Sequence, residues 1–377
     1  MKVLHSYKIY RPDVDGGIPF VIAELCKFPH DKVDNAILVA RRKGLSREYE
    51  NDGVPVEAVT SLGTFFSTPL APTFPLRLLQ RGKSCDVVVH HAPFPLSDLA
   101  VAHLPASTAL IVYWHADIVG FSLLSKLVTP AIMATLRRAD KIVVSHESTA
   151  QSSPILASFR EKWVVVPYGA DVDAWSSCTA EEQARAQELR QRYPRMILGI
   201  GRLVPYKGFK HLIAALSDLD AQLVLIGEGE LRSELEQMAL RLGVADRVTF
   251  AGRIPTSEVK AHLYAARVFA FPSVTPAEAF GIVQLEAMAA GLPIVNTALP
   301  TAVPHVARDG QEAITVPVDD VADLTSALER ILDDPSLAKR LGDAGRKRAH
   351  EEYGRERFLS RMKNVYEDAV RQRRSGR

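Results

Sequence analysis

Short apolar runs alternate with longer helical stretches along the whole chain. Met196–Ile200 and Gln222–Ile226 are apolar runs of strand length, and between them Phe209, Leu212 and Leu216 recur with the spacing of one helix face. A strand followed by a helix and a further strand is typical of a parallel sheet covered by helices. The pattern therefore predicts an α/β fold with parallel sheets.

The predicted strands form two groups, one in each half of the chain, and so predict two sheets. The first group comprises residues 2–6, 36–40, 86–90, 110–114, 141–145 and 163–166. The second group comprises residues 196–200, 222–226, 247–251, 268–271, 293–296 and 313–316. At 377 residues the chain is also longer than one hydrophobic core usually supports. We therefore expect two domains, with the linker between them in the Pro-, Gly- and Ser-containing stretch from Trp163 to about Pro194.

Composition and charge narrow the class of protein. Hydrophobic residues make up 47% of the chain and charged residues 24%, which is typical of a folded, water-soluble protein. The chain has 46 basic and 44 acidic residues, and the small formal charge of +2 argues against nucleic acid as a partner. Its 3 cysteines are widely spaced and fit neither a disulfide framework nor a zinc motif. No apolar stretch suits an export signal or a membrane span, so the sequence predicts a cytoplasmic protein.

Several loops resemble phosphate or metal motifs without completing them. Gly199-Ile-Gly201 and Gly227-Glu-Gly229 have the first two glycines of a dinucleotide-binding motif but lack the third. The loop that ends at Lys207 has the length of a Walker A loop, but no Ser or Thr follows it. The Asp-x-Asp triplets at 13–15 and 171–173 fit surface turns or helix caps better than Mg²⁺ ligands. These loops therefore predict neither NAD, nor a P-loop, nor a metal ion.

Two cations lie between a predicted strand and the helix that follows it. Arg202 and Lys207 come after the strand that ends at Ile200 and are separated by five positions. A guanidinium fork and a compact ammonium group at this spacing can neutralise a diphosphate without a metal ion. A solvated loop with ordinary surface charges is the competing interpretation, and both stand on the sequence alone.

The stretch from Pro276 to Pro293 predicts a helix with an anion site at its start. Gly291 is a typical left-handed helix end and Pro293 prevents continuation, so the helix should run from about Gly281 to Ala290. The free N–H groups of a first helical turn attract anions, and a glycine at that point lets a phosphate approach the backbone closely. The sequence therefore predicts a phosphate-binding helix start at Gly281.

Two glutamates accompany this helix. Glu278 precedes it, and Glu286 lies more than one turn inside it on an otherwise apolar segment. A carboxylate in such a place is costly unless it accepts hydrogen bonds, which the vicinal hydroxyls of a ribose would donate. An ion pair between Glu286 and a nearby Arg or Lys is the competing interpretation.

The first half of the chain adds two candidate positions. Gly16 and Gly17 follow the first predicted strand, and Pro19 suits the first turn of the next helix, which gives a second helix start open to phosphate. His115 ends the predicted strand 110–114, at the sheet edge where parallel strands present ligand-binding residues. A structural histidine is the competing interpretation of His115. The other strand-end histidines lack the spacing of a metal site.

Taken together, these residues resemble the retaining nucleotide-sugar glycosyltransferases of the GT-B fold, specifically glycosyltransferase family 4, also called group 1. The resemblance covers essentially the whole chain. It is carried by Gly16-Gly17, Tyr113-Trp-His-Ala-Asp-Ile118, Pro167-Tyr-Gly-Ala-Asp-Val-Asp173, Gly201-Arg202 to Lys207-Gly208, and Glu278 with seven residues between it and Glu286.

The resemblance implies an α/β, GT-B architecture of two Rossmann-like, doubly wound domains that face a central cleft. The N-terminal, acceptor-binding domain is expected at residues 1–168, and the C-terminal, nucleotide-sugar-binding domain at residues 169–356. A last helix, at about residues 357–377, is expected to pack back on the first domain.

The resemblance also implies roles for the matching positions. The groups expected to hold the donor diphosphate are Arg202, Lys207 and the backbone at Gly281, Ile282 and Val283. Glu278 is expected at the donor sugar and Glu286 at the ribose. The backbone near Arg253 and Ile254 is expected at the base. Those expected from the first domain are His115, facing the donor sugar and the acceptor, and Gly16 and Gly17, whose loop would close over the site. With Arg202, Lys207, Glu278 and His115 in catalytic roles, neither a metal ion nor a cofactor is implied.

The implied activity is retaining transfer of a hexose, with mannose favoured, from a nucleoside-diphosphate sugar. The acceptor would be a saccharide or a lipid-linked saccharide in bacterial surface polysaccharide assembly. A GDP-sugar is favoured over a UDP-sugar because the segment from Trp114 to Val119 is similar to that of mannose transferases. Two alternatives stand beside this activity: a sugar epimerase or phosphorylase of the same architecture, and a non-catalytic nucleotide-sugar sensor.

Apolar segments of the first domain suggest a membrane contact. These segments are Phe65-Phe66, Leu70 to Leu79 and Phe94 to Leu96, and the cations near them are Arg77, Arg81 and Lys83. Apolar and basic side chains together would suit peripheral contact with the cytoplasmic face of the inner membrane, where a lipid-linked acceptor would lie. Packing in the core explains the same segments equally well.

Overall fold

The chain divides into two α/β units, each with its own parallel sheet. The computed structural model describes residues 1–65, 68–116 and 122–375, with the backbone alone at 122–127. The first unit consists of Met1–Gly169 together with Glu356–Arg377, and the second of Ala170–Arg355. The two strand groups expected from the sequence therefore lie in separate units.

The first unit is built on one large sheet and a small hairpin. Its strands are β1 (Lys2–Tyr7), β2 (Asp34–Ala40), β3 (Arg47–Asn51), β4 (Val54–Val59), β5 (Thr64–Phe65), β6 (Thr68–Pro69), β7 (Val87–Ala92), β8 (Ala109–Trp114), β9 (Lys141–Val144) and β10 (Trp163–Val165). The 8-stranded sheet has the order β10-β9-β8-β7-β1-β2-β4-β3, and β5 pairs with β6 in a separate hairpin. All neighbours in the large sheet are parallel except β3 and β4.

Helices cover the sheet of the first unit. They are α1 (Gly17–Leu25), α2 (Phe74–Gly82), α3 (Pro95–Val101), α4 (Ser122–Arg138) and α5 (Glu147–Gln151). Helix α2 buries Phe74 and Leu78 and exposes Leu76, as its amphipathic pattern requires. The Phe74 ring packs 4.8 Å from the buried ring of Phe94. Core packing therefore accounts for Phe74, Leu78 and Phe94 of the proposed membrane segments.

The sequence analysis missed the hairpin of β3 and β4. The turn between these strands runs through Asp52 and Gly53, whose φ angles of 52° and 77° are both left-handed. Two left-handed residues in a two-residue loop form the hairpin turn that matches strand twist, and Asp-Gly is one of its preferred sequences. The dipeptide was the signal that would have predicted this hairpin.

The second unit has a fully parallel sheet. Its strands are β11 (Met196–Ile200), β12 (Gln222–Ile226), β13 (Val248–Gly252), β14 (Val268–Phe271), β15 (Ile294–Thr297) and β16 (Ala313–Val316). The sheet order is β13-β12-β11-β14-β15-β16. Each strand predicted from the sequence matches an observed strand, with ends shifted by at most two residues.

Nine helices of the described residues belong to the second unit. They are α6 (Val172–Ser176), α7 (Ala180–Arg192), α8 (Phe209–Ala215), α9 (Arg232–Arg241), α10 (Thr256–Ala265), α11 (Val283–Ala290), α12 (Val303–Val306), α13 (Val321–Asp333) and α14 (Pro335–Tyr353). Helix α8 carries the predicted apolar face, with Phe209, Leu212 and Ile213 buried in the core.

The predicted linker is wrong over most of its length. Thr179 and Glu182 form a reciprocal capping box at the start of α7, and Ala186 and Leu189 form the buried face of that helix. The division between the units lies at residues 169 and 170, close to the predicted boundary and far from Pro194. The polar composition of this stretch reflects the exposed face of a helix rather than a linker.

The last helix, α15 (Arg355–Ser375), returns to the first unit. The ring of Tyr366 packs 6.0 Å from that of Phe28, and Arg373 pairs with Asp140 at 2.6 Å. Among the described residues, no helix combines the length and the apolar character needed to cross a bilayer.

Each sheet contains a point where the winding of the chain reverses. In the second unit β11 lies between β12 and β14, and in the first unit β1 lies between β2 and β7. The connections that leave the carboxyl ends of two such strands run to opposite faces of the sheet, which opens a crevice between them. The loops after β11 and β14 are therefore where the second unit is expected to bind a ligand.

Candidate active site

The predicted site residues of the second unit gather along the carboxyl edge of its sheet. Arg202 and Lys207 follow β11, and Glu278 and Gly281 follow β14, the neighbouring strand. These are the two strands that flank the winding reversal. The structure thus brings together at one crevice residues that lie some seventy positions apart in the chain.

Lys207 is the centre of this group. Its Nζ lies 2.5 Å from Glu278 Oε2, and the same ammonium group lies 4.9 Å from the centre of the Phe271 ring. Gly201 has a left-handed φ of 153°, and a Cβ there would lie 3.2 Å from Lys207 Cε. The side chain is therefore held between a carboxylate, an aromatic face and bare backbone, which fixes the position of its charge.

Glu278 is only partly satisfied by the protein. Ser273 Oγ donates to Oε2 at 3.2 Å, and Thr297 Oγ1 donates to the carbonyl of Ser273 at 2.5 Å. Within the described part of the chain, the second oxygen, Oε1, has no hydrogen-bond partner. Since this side chain is 12% exposed, Oε1 is available to accept a hydrogen bond from a ligand hydroxyl.

Helix α11 begins two residues later than predicted. Gly281 has a left-handed φ of 77° and lies outside the helix, and a Cβ on it would lie 2.7 Å from the Phe271 ring. No acceptor among the described residues bonds the amide groups of Ile282 and Val283. The Phe271 ring thus lies close both to Gly281, which precedes the open helix start, and to the ammonium group of Lys207.

Glu286 lies one helical turn after Ile282, on the same face of α11. In the described residues it has neither an ion pair nor a hydrogen bond through its carboxylate. The competing interpretation, a pair with a nearby Arg or Lys, is therefore wrong. Desolvation raises the pKa of this carboxyl from 4.5 to about 8.

Two arginines occupy exposed positions at the same edge. Arg202 donates from Nη2 to the hydroxyl of Tyr206 at 3.1 Å, and the Tyr206 ring lies 5.5 Å from Lys207 Nζ. Arg253 and the half-buried Ile254 follow β13, two strands from β11 and so about 10 Å along the edge. Arg202 thus joins the group around Lys207, whereas Arg253 and Ile254 do not.

The incomplete glycine motifs serve backbone packing. A Cβ on Gly227 would lie 2.0 Å from the carbonyl oxygen of Gly201, and one on Gly229 would lie 2.2 Å from that of Leu203. The loops after β11 and β12 are in addition joined by a hydrogen bond from the Leu203 amide to the Glu228 carbonyl at 2.9 Å. These glycines therefore allow the backbone of the loop after β12 to pack closely against that of the loop after β11, which carries Arg202.

In the first unit, Gly16 and Gly17 form an open helix start. Helix α1 begins at Gly17, with Gly16 as its exposed N-cap and no side-chain cap. A Cβ on Gly16 would meet no atom within 4 Å. The helix start predicted at Gly16 and Gly17 is therefore present, and its role at a ligand stays a prediction.

His115 follows β8, as predicted, but its imidazole is buried. The residue is 2% exposed, and both ring nitrogens have protein partners: Nε2 lies 2.9 Å from His91 Nδ1, and Nδ1 lies 2.5 Å from the Tyr168 hydroxyl. Burial lowers the pKa of His115 to about 3. The ring offers no free nitrogen to a ligand in this arrangement, so its predicted catalytic role stays a prediction that requires Tyr168 or His91 to move.

Both acidic triplets are used within the protein. Asp13 accepts from Arg41 Nε at 2.8 Å and from the Arg42 amide at 3.1 Å, and Asp171 caps α6 and pairs with Arg355 at 2.8 Å. In the part of the chain that the structure describes, no three His, Cys, Asp or Glu side chains come together as a metal site.

Some predictions fall on positions outside the described residues. These are Asp117 to Val119 of the segment after His115, and Phe66 of the apolar segments. The sequence analysis itself missed the supporting residues Phe271 and Ser273, and it included Tyr168 in the Pro167–Asp173 motif without giving it a role. Phe271 and Ser273 carry no local pattern, because their importance comes from which strands are neighbours in the sheet.

Comparison with known families divides the chain into the same two parts. Residues 180–348 match the family described as glycosyl transferases group 1, and residues 16–169 match the glycosyl transferase 4-like domain. Among solved structures, the Anabaena protein HepE in complex with UDP superposes with a TM-score of 0.78 at 19% identity, covering 97% of this chain and 99% of that one. The fold is thus that of GT-B glycosyltransferases.

Curated relatives are similar over most of their length. D-rhamnosyltransferase WbpZ of Pseudomonas aeruginosa is 30% identical over 91% of this chain and 89% of its own. O-antigen chain mannosyltransferase C of Escherichia coli is 27% identical over 97% of this chain and 98% of its own. A GDP-mannose-dependent α-(1-6)-phosphatidylinositol monomannoside mannosyltransferase of Mycolicibacterium smegmatis is 34% identical over 69% of this chain and 71% of its own.

Proposed function

The chain belongs to the group 1 glycosyltransferases of the GT-B fold, and from this premise we propose that it transfers a mannose-type hexose from GDP-sugar to a saccharide or lipid-linked acceptor. The observation that carries the proposal is the contact of Lys207 with Glu278 and Phe271 beside the open start of α11. The cations and the helix N-terminus would bind the donor diphosphate. The Glu278 carboxylate would bind hydroxyl groups of the sugar attached to that diphosphate.

The proposed chemistry is charge stabilisation of the leaving group. When the glycosidic bond breaks, the bond electrons leave with the nucleoside diphosphate and its terminal phosphate gains negative charge. Lys207, Arg202 and the amide groups of Ile282 and Val283 would stabilise that charge more as it develops than in the bound donor. These fixed groups supply the role a metal ion has elsewhere, and this supports transfer without a metal.

The carboxylates are assigned to hydroxyl groups. Glu278 Oε1 would accept from a hydroxyl of the donor sugar, while Oε2 stays bound to Lys207 and Ser273. Glu286 would accept from the ribose hydroxyls, and those hydrogen bonds would favour its ionised form. The backbone at Arg253 and Ile254 would contact the base. The resemblance to the family supports these three assignments.

Retention of anomeric configuration is part of the proposal. In front-face attack the acceptor oxygen approaches on the side from which the diphosphate departs, and the departing phosphate oxygen takes the acceptor proton. The positive groups around Lys207 hold that phosphate close to the reacting carbon after the bond breaks. Nuclear magnetic resonance of the product would show the same anomeric configuration as the donor, and an inverted product would contradict this step.

The donor base and the acceptor rest on the relatives. Names of two of them specify mannose transfer, and one specifies GDP-mannose and a glycolipid acceptor. These names support a GDP-sugar donor and assembly of a surface polysaccharide or glycolipid, and we propose the cytoplasmic face of the inner membrane as the place of assembly.

A surface of the first unit supports contact with that membrane. The large apolar side chains exposed there are Leu45 at 80%, Leu62 at 71%, Phe65 at 57%, Leu70 at 50% and Leu76 at 70%. Hydrogen bonds hold its loops together, from the Leu62 amide to the Leu70 carbonyl at 3.0 Å and from the Gly44 amide to the Ser61 carbonyl at 2.9 Å.

Exposed cations lie in the same loops. Arg42 and Lys43 directly precede Gly44 and Leu45, and Lys83 ends the α2 segment. Arg77 and Arg81, in contrast, lie 2.5 Å and 3.6 Å from carboxylate oxygens of the buried Glu57. We therefore assign the attraction for anionic lipid to Arg42, Lys43 and Lys83 in place of the two arginines.

Vesicle flotation tests the membrane contact. The protein should float with vesicles of phosphatidylcholine and phosphatidylglycerol and not with phosphatidylcholine alone. The double variant Leu62→Ser/Leu76→Ser should lose flotation, whereas Leu240→Ser, which replaces a leucine 68% exposed on the second unit, should not. Absence of flotation of the wild type, or equal loss in both variants, would remove this contact from the proposal.

Donor turnover tests the transfer. Purified protein is incubated with GDP-mannose, UDP-glucose or ADP-glucose, and release of the nucleoside diphosphate is measured with and without bacterial membranes as an acceptor source. Faster release from GDP-mannose, increased by membranes, supports the proposal. Release from UDP-glucose alone contradicts the donor, and a folded protein that binds nucleotide but turns over none of the three is a sensor.

A further inference from the structure

Five buried side chains of the first unit form one continuous line of hydrogen bonds. Asn35 Oδ1 lies 3.2 Å from His5 Nε2, and His5 Nδ1 lies 3.1 Å from His91 Nε2. His91 Nδ1 then lies 2.9 Å from His115 Nε2, and His115 Nδ1 lies 2.5 Å from the Tyr168 hydroxyl. We call these residues the histidine relay.

The relay crosses the centre of the sheet. Its members come from β2, β1 and β7, from the residue after β8 and from the segment after β10, so it runs across neighbouring strands rather than along one. None of its five side chains is more than 4% exposed. The rings of His91 and His115 are nearly parallel, at 7°, and Tyr113 stacks on His115 with ring centres 4.6 Å apart. Packing therefore fixes the ring orientations.

A neutral relay has a direction. Burial lowers the pKa of His5 to about 4 and that of His115 to about 3, and it holds that of His91 well below its ordinary value, so all three rings are neutral at pH 7. A hydrogen bond between two neutral imidazoles needs an N–H on one and a lone pair on the other. The tautomer of each histidine therefore dictates the tautomer of the next.

The Asn35 end selects which direction is adopted, because a tyrosine hydroxyl can either donate or accept. With Asn35 Oδ1 as the acceptor at one end, His5 carries its proton on Nε2, and so in turn do His91 and His115. The lone pair on His115 Nδ1 then accepts from the Tyr168 hydroxyl. Every ring nitrogen has a partner in this arrangement, and each bond runs from Tyr168 towards Asn35.

We propose that Asn35, His5 and His91 are positioning residues that hold His115 as the Nε2–H tautomer, with the Nδ1 lone pair directed to the place that the Tyr168 hydroxyl occupies. Tyr168 is the relay residue next to the boundary between the units, which follows Gly169, and we take it as the end of the relay that opens. When Tyr168 moves aside, Nδ1 accepts a hydrogen bond from a substrate hydroxyl. This last step rests on the proposed sugar transfer.

Nitrogen-15 spectroscopy tests the tautomers directly. In protein labelled with ¹⁵N-histidine, long-range ¹H–¹⁵N spectra distinguish a protonated from a lone-pair ring nitrogen. We expect His5, His91 and His115 each to carry the proton on Nε2. Replacement of the exposed His103 by Gln removes one set of signals and should leave the others unchanged. A wild-type His115 with its proton on Nδ1 overturns the proposal.

Variants at the two ends test the direction. Asn35→Asp keeps an acceptor and should keep the Nε2–H tautomer of His115, and Tyr168→Phe should keep it too, because Asn35 is intact. Asn35→Leu removes the acceptor, and His115 should then show both tautomers. An unchanged His115 in folded Asn35→Leu contradicts the proposal, and the wild-type and Asn35→Asp spectra decide it if that variant does not fold.

Transfer assays separate this inference from the proposed function. Asn35→Leu should lower kcat about tenfold and change the donor KM by less than about twofold, and Asn35→Asp should restore kcat, because the donor diphosphate binds on the other unit. Nε2–H tautomers in a protein that transfers no sugar leave the relay standing and refute the transfer. Full kcat in an Asn35→Leu protein with mixed tautomers refutes the role of the tautomer in transfer.

Discussion

The two units differ in whether their polar groups have hydrogen-bond partners within the protein. At the carboxyl edge of the second sheet, Glu278 has one oxygen without a partner, Glu286 has no partner in the described chain, and the first amides of α11 are open. In the histidine relay of the first unit, every imidazole nitrogen is hydrogen-bonded within the protein. Unsatisfied polar groups cost stability and are kept where a ligand completes them, whereas satisfied networks hold a geometry.

The largest effect should come from removing the central cation of the second unit. Lys207→Ala removes the charge that we propose stabilises the departing diphosphate, and we expect donor turnover to fall at least about a hundredfold. Lys210→Ala, which removes an exposed lysine three positions further along, is the matched control and should keep full activity. Equal activity of the two variants would contradict the assignment of Lys207.

Glu286→Gln should weaken nucleoside diphosphate binding and raise thermal stability at high pH. The amide keeps the shape but loses the charge that strengthens hydrogen bonds from a ribose, so nucleoside diphosphate affinity should fall about tenfold or more. Because the folded pKa of about 8 lies above the unfolded value, the wild type loses stability as pH rises from about 4.3 through 8. The variant should therefore melt at a higher temperature than the wild type at pH 9, and nearly equally at pH 5.

The opposite pH response is expected from the histidine relay. Its folded pKa values lie below the unfolded value of about 6.5, so the unfolded state binds more protons and stability falls as pH decreases from about 6.5 towards 4. Each histidine contributes up to about 1.4 kcal/mol per pH unit.

Thermal melting between pH 7 and pH 5 measures this response. His91→Gln should reduce the slope of melting temperature against pH, and His103→Gln, at an exposed position, should not. A wild-type melting temperature that stays constant over this interval would show that the relay is not neutral in the folded protein.

The smallest effect is expected at Arg253. Its side chain is exposed and lies two strands from Lys207, and only the backbone of this segment is assigned to the base. Arg253→Ala should therefore change nucleoside diphosphate affinity by less than about threefold in a calorimetric titration. A loss as large as that of Glu286→Gln would move the guanidinium group into the binding site.

Local sequence patterns predicted the strands and helices better than they predicted which of them lie side by side. The strand 196–200 and the helix that begins at Phe209 are found where apolar spacing placed them, and the loops with Arg202 and Glu278 are found at strand ends. The stretch at 180–192 was misread because a mostly exposed helix has the polarity of a linker. The helix starts at Val283 and not at Gly281 because Gly281 has a left-handed φ of 77°, which a right-handed helix does not accommodate.

The histidine relay shows what local pattern omits. His5, His91 and His115 are far apart in the chain, and each was consistent with an isolated buried residue. They meet because β1, β7 and β8 are neighbours in the sheet, which is a property of topology rather than of any one segment. Glu286 was in contrast identified from its own surroundings in the sequence, because a carboxylate on an apolar helix is unusual wherever the helix packs.

The most direct test of the account is the thermal shift caused by GDP in three proteins: the wild type, Lys207→Ala and Asn35→Asp. A ligand bound only by the folded state raises the melting temperature. We predict that GDP raises it by several degrees in the wild type and in Asn35→Asp, and that Lys207→Ala loses most of the rise. A rise that survives in Lys207→Ala, or that disappears in Asn35→Asp, would contradict the claim that Lys207 and the open start of α11 hold the donor diphosphate.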